Sequence, residues 1–369
     1  MKKAIVLGAA MLLAGAAAFA ADVKFSGRIR VGYNFQFGDT DQTTLKKNPE
    51  GRMNLTIADP DSLWTITFDA SKTGTTETGG FSDHYYRAKA TIALDKALKG
   101  AGVDLGDVSL KAFGGYYDWY ETKNVYDDNT YSDNDVDRME LNVATQSAEA
   151  SIVGATVGYG KLVSVEAVSA PVSDSGVGSA FAFTATSTPV DGVKVGVGYG
   201  HNVVFGKGNY FGRQTYNNGL NASANVDIAK LIKNDKFSLA AAGDFQFGFE
   251  DKDEGQYQYI QALGRVSGGV EMVDGYVEYA YTSIDNDSLA VDKAQYMRVQ
   301  ANLNMVKGLG LDVYYQDYDL TNEADNDDFE IGAESSYTFG GVTYHLDVAY
   351  LAEKDNDNFK ITPWIQIAF

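Results

Sequence analysis

The side chains best placed to do chemistry in this sequence are charged residues set at alternate positions of short apolar segments. Arg28 and Arg30 are interleaved with Phe25, Ile29, Val31 and Tyr33, and Arg52, Arg87, Lys89, Lys111 and Arg138 sit in similar company further on. Later segments carry Glu278, Asp312, Glu330, Glu334 and Asp347 in the same way. Charges fixed along a wall attract, repel and orient solute ions without any bond being made. Bond-making chemistry has little to work with. The chain has 3 histidines and no cysteine, so thiol nucleophiles and thiolate metal sites are ruled out. His345 and Asp347 share a strand face, but no serine is placed beside them by spacing. Asp285-Asn286-Asp287, Asp325-Asn326-Asp327-Asp328 and Asp355-Asn356-Asp357 hold oxygen ligands suited to Ca²⁺. None has the glycine and closing glutamate of a calcium loop, and a solvated acidic surface explains them better. With no phosphate loop and no metal-ligand spacing, no enzyme, cofactor or metal is expected.

The elements that must hold these charges are strands. Val23, Phe25, Gly27, Ile29, Val31, Tyr33, Phe35 and Phe37 fall on one parity; Lys24, Ser26, Arg28, Arg30, Gly32, Asn34 and Gln36 fall on the other. A helix would mix the two sets, whereas a strand separates them. The pattern recurs at 138–143, 193–199, 237–249, 297–305, 329–339 and 359–369. Long Asp/Asn-rich connections lie near 38–51, 71–83, 121–136, 160–178, 200–218, 250–256, 285–293, 319–328 and 352–358. Plainer turns lie at 58–61, 145–149, 189–192, 229–236, 267–275, 306–310 and 340–341, with a longer one near 95–107 in which 95–99 predicts a helical turn. Segments between these connections number roughly 18, with sixteen the alternative because 160–178 and 257–284 parse poorly. The expected fold is all-β: a transmembrane antiparallel β-barrel with long extracellular loops and short periplasmic turns.

The termini agree with that reading. Lys2 and Lys3 precede an apolar run closed by Ala18-Phe19-Ala20, which predicts a secretory signal peptide over 1–20 and a single barrel domain over 21–369. No later segment approaches about 18 unbroken apolar residues, so no transmembrane helix is expected. The net charge of -20 argues against a nucleic-acid partner, which needs a basic footprint. A soluble β-sandwich also alternates, but its inner face carries large aliphatics. Here the apolar parity carries rings near strand ends, as at Phe245, Phe247 and Phe249, which suits aromatic girdles at two lipid interfaces. The chain ends on Ile365-Gln366-Ile367-Ala368-Phe369, a two-faced strand closing on a bare aromatic.

On its leader, its repeated strand pattern and that final strand, the sequence resembles the bacterial porin superfamily of outer-membrane barrels. The resemblance implies a cell outer-membrane location and recognition of Ile365, Ile367 and Phe369 by the barrel-assembly machinery. It also implies a homotrimer, the common state of such barrels. Pro363 departs from a regular ladder and is expected at a bulge. General porins pair an arginine cluster with acids on an inward-folded third loop. The corresponding loop here carries Asp127, Asp128, Asp133 and Asp135.

The expected function is a water-filled channel through which small hydrophilic solutes and ions diffuse passively. Its basic wall would face its acidic one across the lumen. One alternative is a carbohydrate-selective porin, with Phe113, Tyr117, Trp119, Tyr314, Tyr318 and Trp364 as a stacking path. Another is a structural or adhesive surface barrel without transport.

Overall fold

A computed structural model describes residues 22–38, 42–45, 50–74, 81–117, 120–121, 125–126, 140–141, 150–170, 180–205, 214–249, 258–285, 293–306, 309–318, 328–353 and 356–369. The expected leader lies outside them. In chain order the first elements are β1 (Asp22–Gly38), β2 (Gln42–Leu45), β3 (Glu50–Ala58), β4 (Trp64–Gly74), β5 (Phe81–Ala93), helix α1 (Leu94–Gly100), β6 (Val108–Tyr117), β7 (Tyr120–Glu121) and β8 (Glu140–Leu141). Next come β9 (Ala150–Tyr159), β10 (Val163–Ala170), β11 (Ala180–Val190), β12 (Val193–Phe205), β13 (Gln214–Asp227), helix α2 (Ile228–Leu231), β14 (Ser238–Phe249) and β15 (Gln258–Val270). The chain ends with β16 (Val273–Asp285), β17 (Lys293–Val306), β18 (Leu309–Tyr318), β19 (Asp328–Phe339), β20 (Val342–Glu353) and β21 (Asn356–Ala368).

Omitting the short β2, β7 and β8, which lie within long connections, the strands form a closed antiparallel barrel of 18 staves. Each stave pairs with the next, β6 passes directly to β9, and β21 returns to β1 with Ile29 opposite Ile367 and Val31 opposite Ile365. Closure leaves no free sheet edge, and that is the condition a sheet must meet in hydrocarbon, where an unpaired amide has no water to bond. Among the described residues no helix is long and apolar enough to cross a membrane, so any crossing belongs to the strands.

Alternation sorts the side chains as the sequence requires. On β1, Phe25, Ile29 and Val31 point out and are 57%, 50% and 45% exposed, while Arg28 and Arg30 point in. The outer face continues through Val157, Phe183, Val197, Phe245, Val266, Val277 and Ile331, all exposed. Leaving a Phe or Val side chain in water forgoes roughly 1.5–3 kcal/mol apiece. An exterior that is apolar all the way round is stable only where lipid covers it.

The short-turn end is tightly tied. Asp59 Oδ2 accepts from the amides of Asp61 and Leu63, both at 3.1 Å, to hold the β3–β4 turn. Asp227 caps α2 by accepting from the Lys230 amide at 2.9 Å. The expected helical turn in the β5–β6 connection is α1, and the β19–β20 turn falls on Gly340-Gly341 as expected.

Two local expectations need correction. The expected loop over 160–178 contains stave β10, entered by a tight turn at Gly160-Lys161-Leu162. Its signal was weak because its inward parity mixes Ser164 and Glu166 with Val168 and Ala170. The turn expected at 145–149 lies outside the described residues. The flanking alternation at 138–143 yields no stave: its described part is the two-residue β8, and β6 pairs straight across to β9. The two errors offset each other, and the count of 18 stands. Pro363 is also not at a bulge. It stays in register with Leu346 of β20, while the β1–β21 pairing lapses beside it and resumes at Phe35 opposite Ile361 with no shift. Thr362 Oγ1 donates to Asn34 Oδ1 at 3.0 Å across that lapse, supplying with side chains what the ladder lacks there.

Candidate functional site

The inward parity of the staves builds a polar interior, and register decides which charges meet. Arg28 of β1 lies opposite Arg52 of β3, and Asp69 of β4 lies opposite Arg87 of β5. Asp69 takes a forked contact from Arg52, Nε to Oδ1 at 3.1 Å and Nη2 to Oδ2 at 2.5 Å. The two-point geometry fixes the guanidinium plane against the wall. Asp69 therefore interrupts the basic face. Its inward parity beside outward Phe68 was the available signal. Lys89 of β5 reaches over the buried Phe113 ring of β6, 4.3 Å from its centre, and Lys111 stands on the same stave as Phe113. Arg138 lies outside the described residues.

The acids fall into two groups. Asp312, Glu334 and Asp347 are successive cross-strand partners on β18, β19 and β20. Beside them Glu330 accepts the Tyr314 hydroxyl at 2.5 Å, and Arg298 lies over the Tyr314 ring at 4.4 Å. Glu278 of β16 is a different case. It lies between Arg265 of β15 and Arg298 of β17, each its register partner, and is only 3% exposed.

Tyr126, from the connection between β6 and β9, lies against Glu278. The Tyr126 hydroxyl donates to Glu278 Oε2 at 2.5 Å. Its ring packs with Leu263, Ala280 and Tyr296, and Arg265 lies 5.1 Å from the ring centre. The preceding Val125 amide donates to Ser223 Oγ of β13 at 3.2 Å. At the loop's base β8 pairs with β12, Glu140 opposite Val204. From β6 to β16 is eight strand-to-strand steps round the 18 staves, close to half a turn. Val125 and Tyr126 therefore lie inside the barrel against the wall opposite β6. Burial first, and the Glu278 carboxylate second, push the Tyr126 phenol up, so it remains a proton donor. Asp127, Asp128, Asp133 and Asp135 lie outside the described residues.

The two charged faces also meet at the seam. Arg30 donates from Nε to Gln366 Oε1 at 2.7 Å and sits 5.6 Å from the Trp364 ring centre. Trp364 Nε1 donates to Asp347 Oδ2 at 2.7 Å, and His345 stacks on the indole at 3.4 Å. From β20 to β1 is two steps through β21, whereas β5 and β16 stand nine steps apart, directly across the barrel. Arg87 and Lys89 thus face Glu278 across the diameter, while Arg28 and Arg30 neighbour Asp347. Phe113, Tyr314 and Trp364 sit on three separated staves and are engaged by Lys89, Glu330 and Asp347 respectively. Trp119 lies outside the described residues, and for Tyr117 and Tyr318 only the backbone is described.

No protein-family model matches the sequence, and no curated protein does. Solved structures do match. OpdL of Pseudomonas aeruginosa superposes with a TM-score of 0.61 at 9% identity, covering 94% of this chain and 99% of that one. OccK3 (OpdO) of the same organism gives 0.59 at 10%, covering 94% and 96%. A BenF-like porin from Pseudomonas fluorescens Pf-5 gives 0.58 at 12%, covering 94% and 98%. At such identities the likeness is one of architecture, and it runs almost end to end. By fold, the chain is a closed, porin-like β-barrel of 18 staves.

Proposed function

We propose that this chain is a channel of the bacterial outer membrane through which small hydrophilic solutes and ions diffuse passively. The observation that carries the reading is the division of one closed wall into two faces. Lipid-suited side chains cover the outside, and paired arginines, lysines and carboxylates line the inside. A water-filled lumen gives that inner charge a use, whereas a purely structural barrel has none for it. The architectural likeness to outer-membrane channels supports the same reading.

The charges act as a filter. Arg28, Arg30, Arg52, Arg87, Lys89, Lys111 and Arg138 bias entry toward anions, and Glu278, Asp312, Glu330, Glu334 and Asp347 bias it toward cations. Residues 1–20 direct export and are removed. The final strand, through Ile365, Ile367 and Phe369, is presented to the assembly machinery.

Liposome swelling tests the proposal. Uptake should fall steadily with solute size and rise linearly with concentration. Saturation by one sugar would replace it with the carbohydrate-selective reading, and absence of swelling with a folded barrel would favour the structural one.

A further inference from the structure

We propose that His345 is a proton-operated charge on the inner wall, which shifts the channel's preference toward anions in mildly acidic water. The inference rests on the channel reading above. Histidine is the side chain whose charge ordinarily changes between about pH 5 and 8, and the chain has 3 of them. His201 holds the outward parity of β12, with the exposed Val197 and Tyr199, and stacks on Phe181 with centroids 5.3 Å apart. His345 holds the inward parity of β20, two residues from Asp347, so its charge changes where solute passes.

The surroundings of His345 suit that charge. The imidazole lies on the Trp364 indole, 3.4 Å between centroids and 6° between planes. A cation over an indole face is drawn to the negative side of the ring, so the stack holds imidazolium more firmly than imidazole. The indole is itself fixed. Its Nε1 donates to Asp347 Oδ2 at 2.7 Å, and opposite it β1 carries Gly32, where a Cβ would run into Trp364 Cβ. Two carboxylates face the stack, Asp347 on the same stave and Glu334 opposite it on β19, with Asp312 next in the row on β18. Ser336, the register partner of His345 on β19, and Gln366 on β21 are neutral. The opposing charge is Arg30 of β1, 5.6 Å from the indole centre and donating to Gln366. At neutral pH the acids outnumber Arg30 here. A positive charge on His345 offsets one of them, so cations lose an attraction and anions lose an obstacle.

Reversal potentials of the full chain in a salt gradient test this. Between about pH 8 and 5 the parent should move toward anions, and His345→Gln should lose most of that movement. His201→Gln, on the outer face, should keep it. Carboxylates that take up protons at the acid end do so in all three proteins, so the difference between them reads His345. Equal movement in the parent and a folded His345→Gln barrel would overturn the proposal while leaving the channel intact.

A second readout does not depend on conduction. An imidazolium in contact with an indole accepts an electron from its excited state and dims its emission. Tryptophan emission of the folded barrel should therefore fall as pH drops from about 8 to 5. The fall should vanish in His345→Gln and in Trp364→Phe alike. A His345-dependent fall in an electrically silent barrel would uphold the proton site and remove the channel reading instead. Emission that falls equally in the parent and in His345→Gln would overturn the proposal.

Discussion

Gly27 and Phe369 exchange both backbone hydrogen bonds, Gly27 N–H to Phe369 O at 2.7 Å and Phe369 N–H to Gly27 O at 3.0 Å. The last residue of the chain is thereby fastened five residues into the first strand. A Cβ on Gly27 would stand 2.7 Å from the Phe369 ring and 2.5 Å from the Arg52 carbonyl. The Phe369 ring also packs on Phe25, with centroids 5.7 Å apart. The seam is made by a missing side chain on one strand and a ring on the other.

Gly27→Val should therefore overpack the seam and destabilise the barrel by about 1–3 kcal/mol. The check is a lower urea midpoint for unfolding from lipid vesicles. Gly51→Ala on the neighbouring strand, where a Cβ meets nothing within 4 Å, should leave the midpoint in place.

Opposite charge changes on the inner wall should move ion selectivity in opposite directions. Replacing Arg28 and Arg30 with glutamine shifts the reversal potential toward cations. Asp69→Asn, which leaves the Arg52 guanidinium without its forked partner, shifts it toward anions. Both shifts should shrink in high salt as the charges are screened. Equal reversal potentials in a salt gradient would remove these residues from the filter.

The Tyr126–Glu278 contact has a pH signature on the alkaline side. The Tyr126 phenol is raised in the folded state, by burial first and by Glu278 next. Its contribution is therefore fully present below the ordinary tyrosine value of about 10 and is lost as pH climbs through the raised folded value. Channel noise should stay level from neutral pH to about 10 and increase only above it. In Tyr126→Phe that alkaline onset should vanish, since the titrating group is gone.

A milder electrostatic effect belongs to the short-turn end. The Gly106 amide first, and Lys99 second, hold the Asp104 carboxyl below its ordinary value. That contact is kept above the usual carboxylate range and lost as pH falls through the lowered value. Because Asp104 is fully exposed, Asp104→Asn should leave the unfolding midpoint near that of the parent at neutral pH.

The strand frame was legible because a barrel writes it locally: Phe25, Ile29 and Val31 declare one face and Arg28 and Arg30 the other within a few residues. Stave β10 was hidden because Val168 and Ala170 point inward beside Glu166, so its two faces differ little in polarity. Inward orientation of Arg52, Arg87, Glu334 and Asp347 followed from parity alone. The partners did not, because the forked Arg52–Asp69 contact and the Asp312–Glu334–Asp347 row depend on cross-strand register. Tyr126 was the least legible residue. A single tyrosine in an Asp-rich loop carries no local pattern, and its partner lies 152 positions away on the far wall.

Single-channel conductance of the refolded full-length barrel in a planar bilayer tests the central claim most directly. A passive channel with this charged interior should give large, steady, ohmic steps whose size scales with salt concentration. A barrel proven folded by its heat-modifiable gel mobility, yet electrically silent across that range, would contradict it.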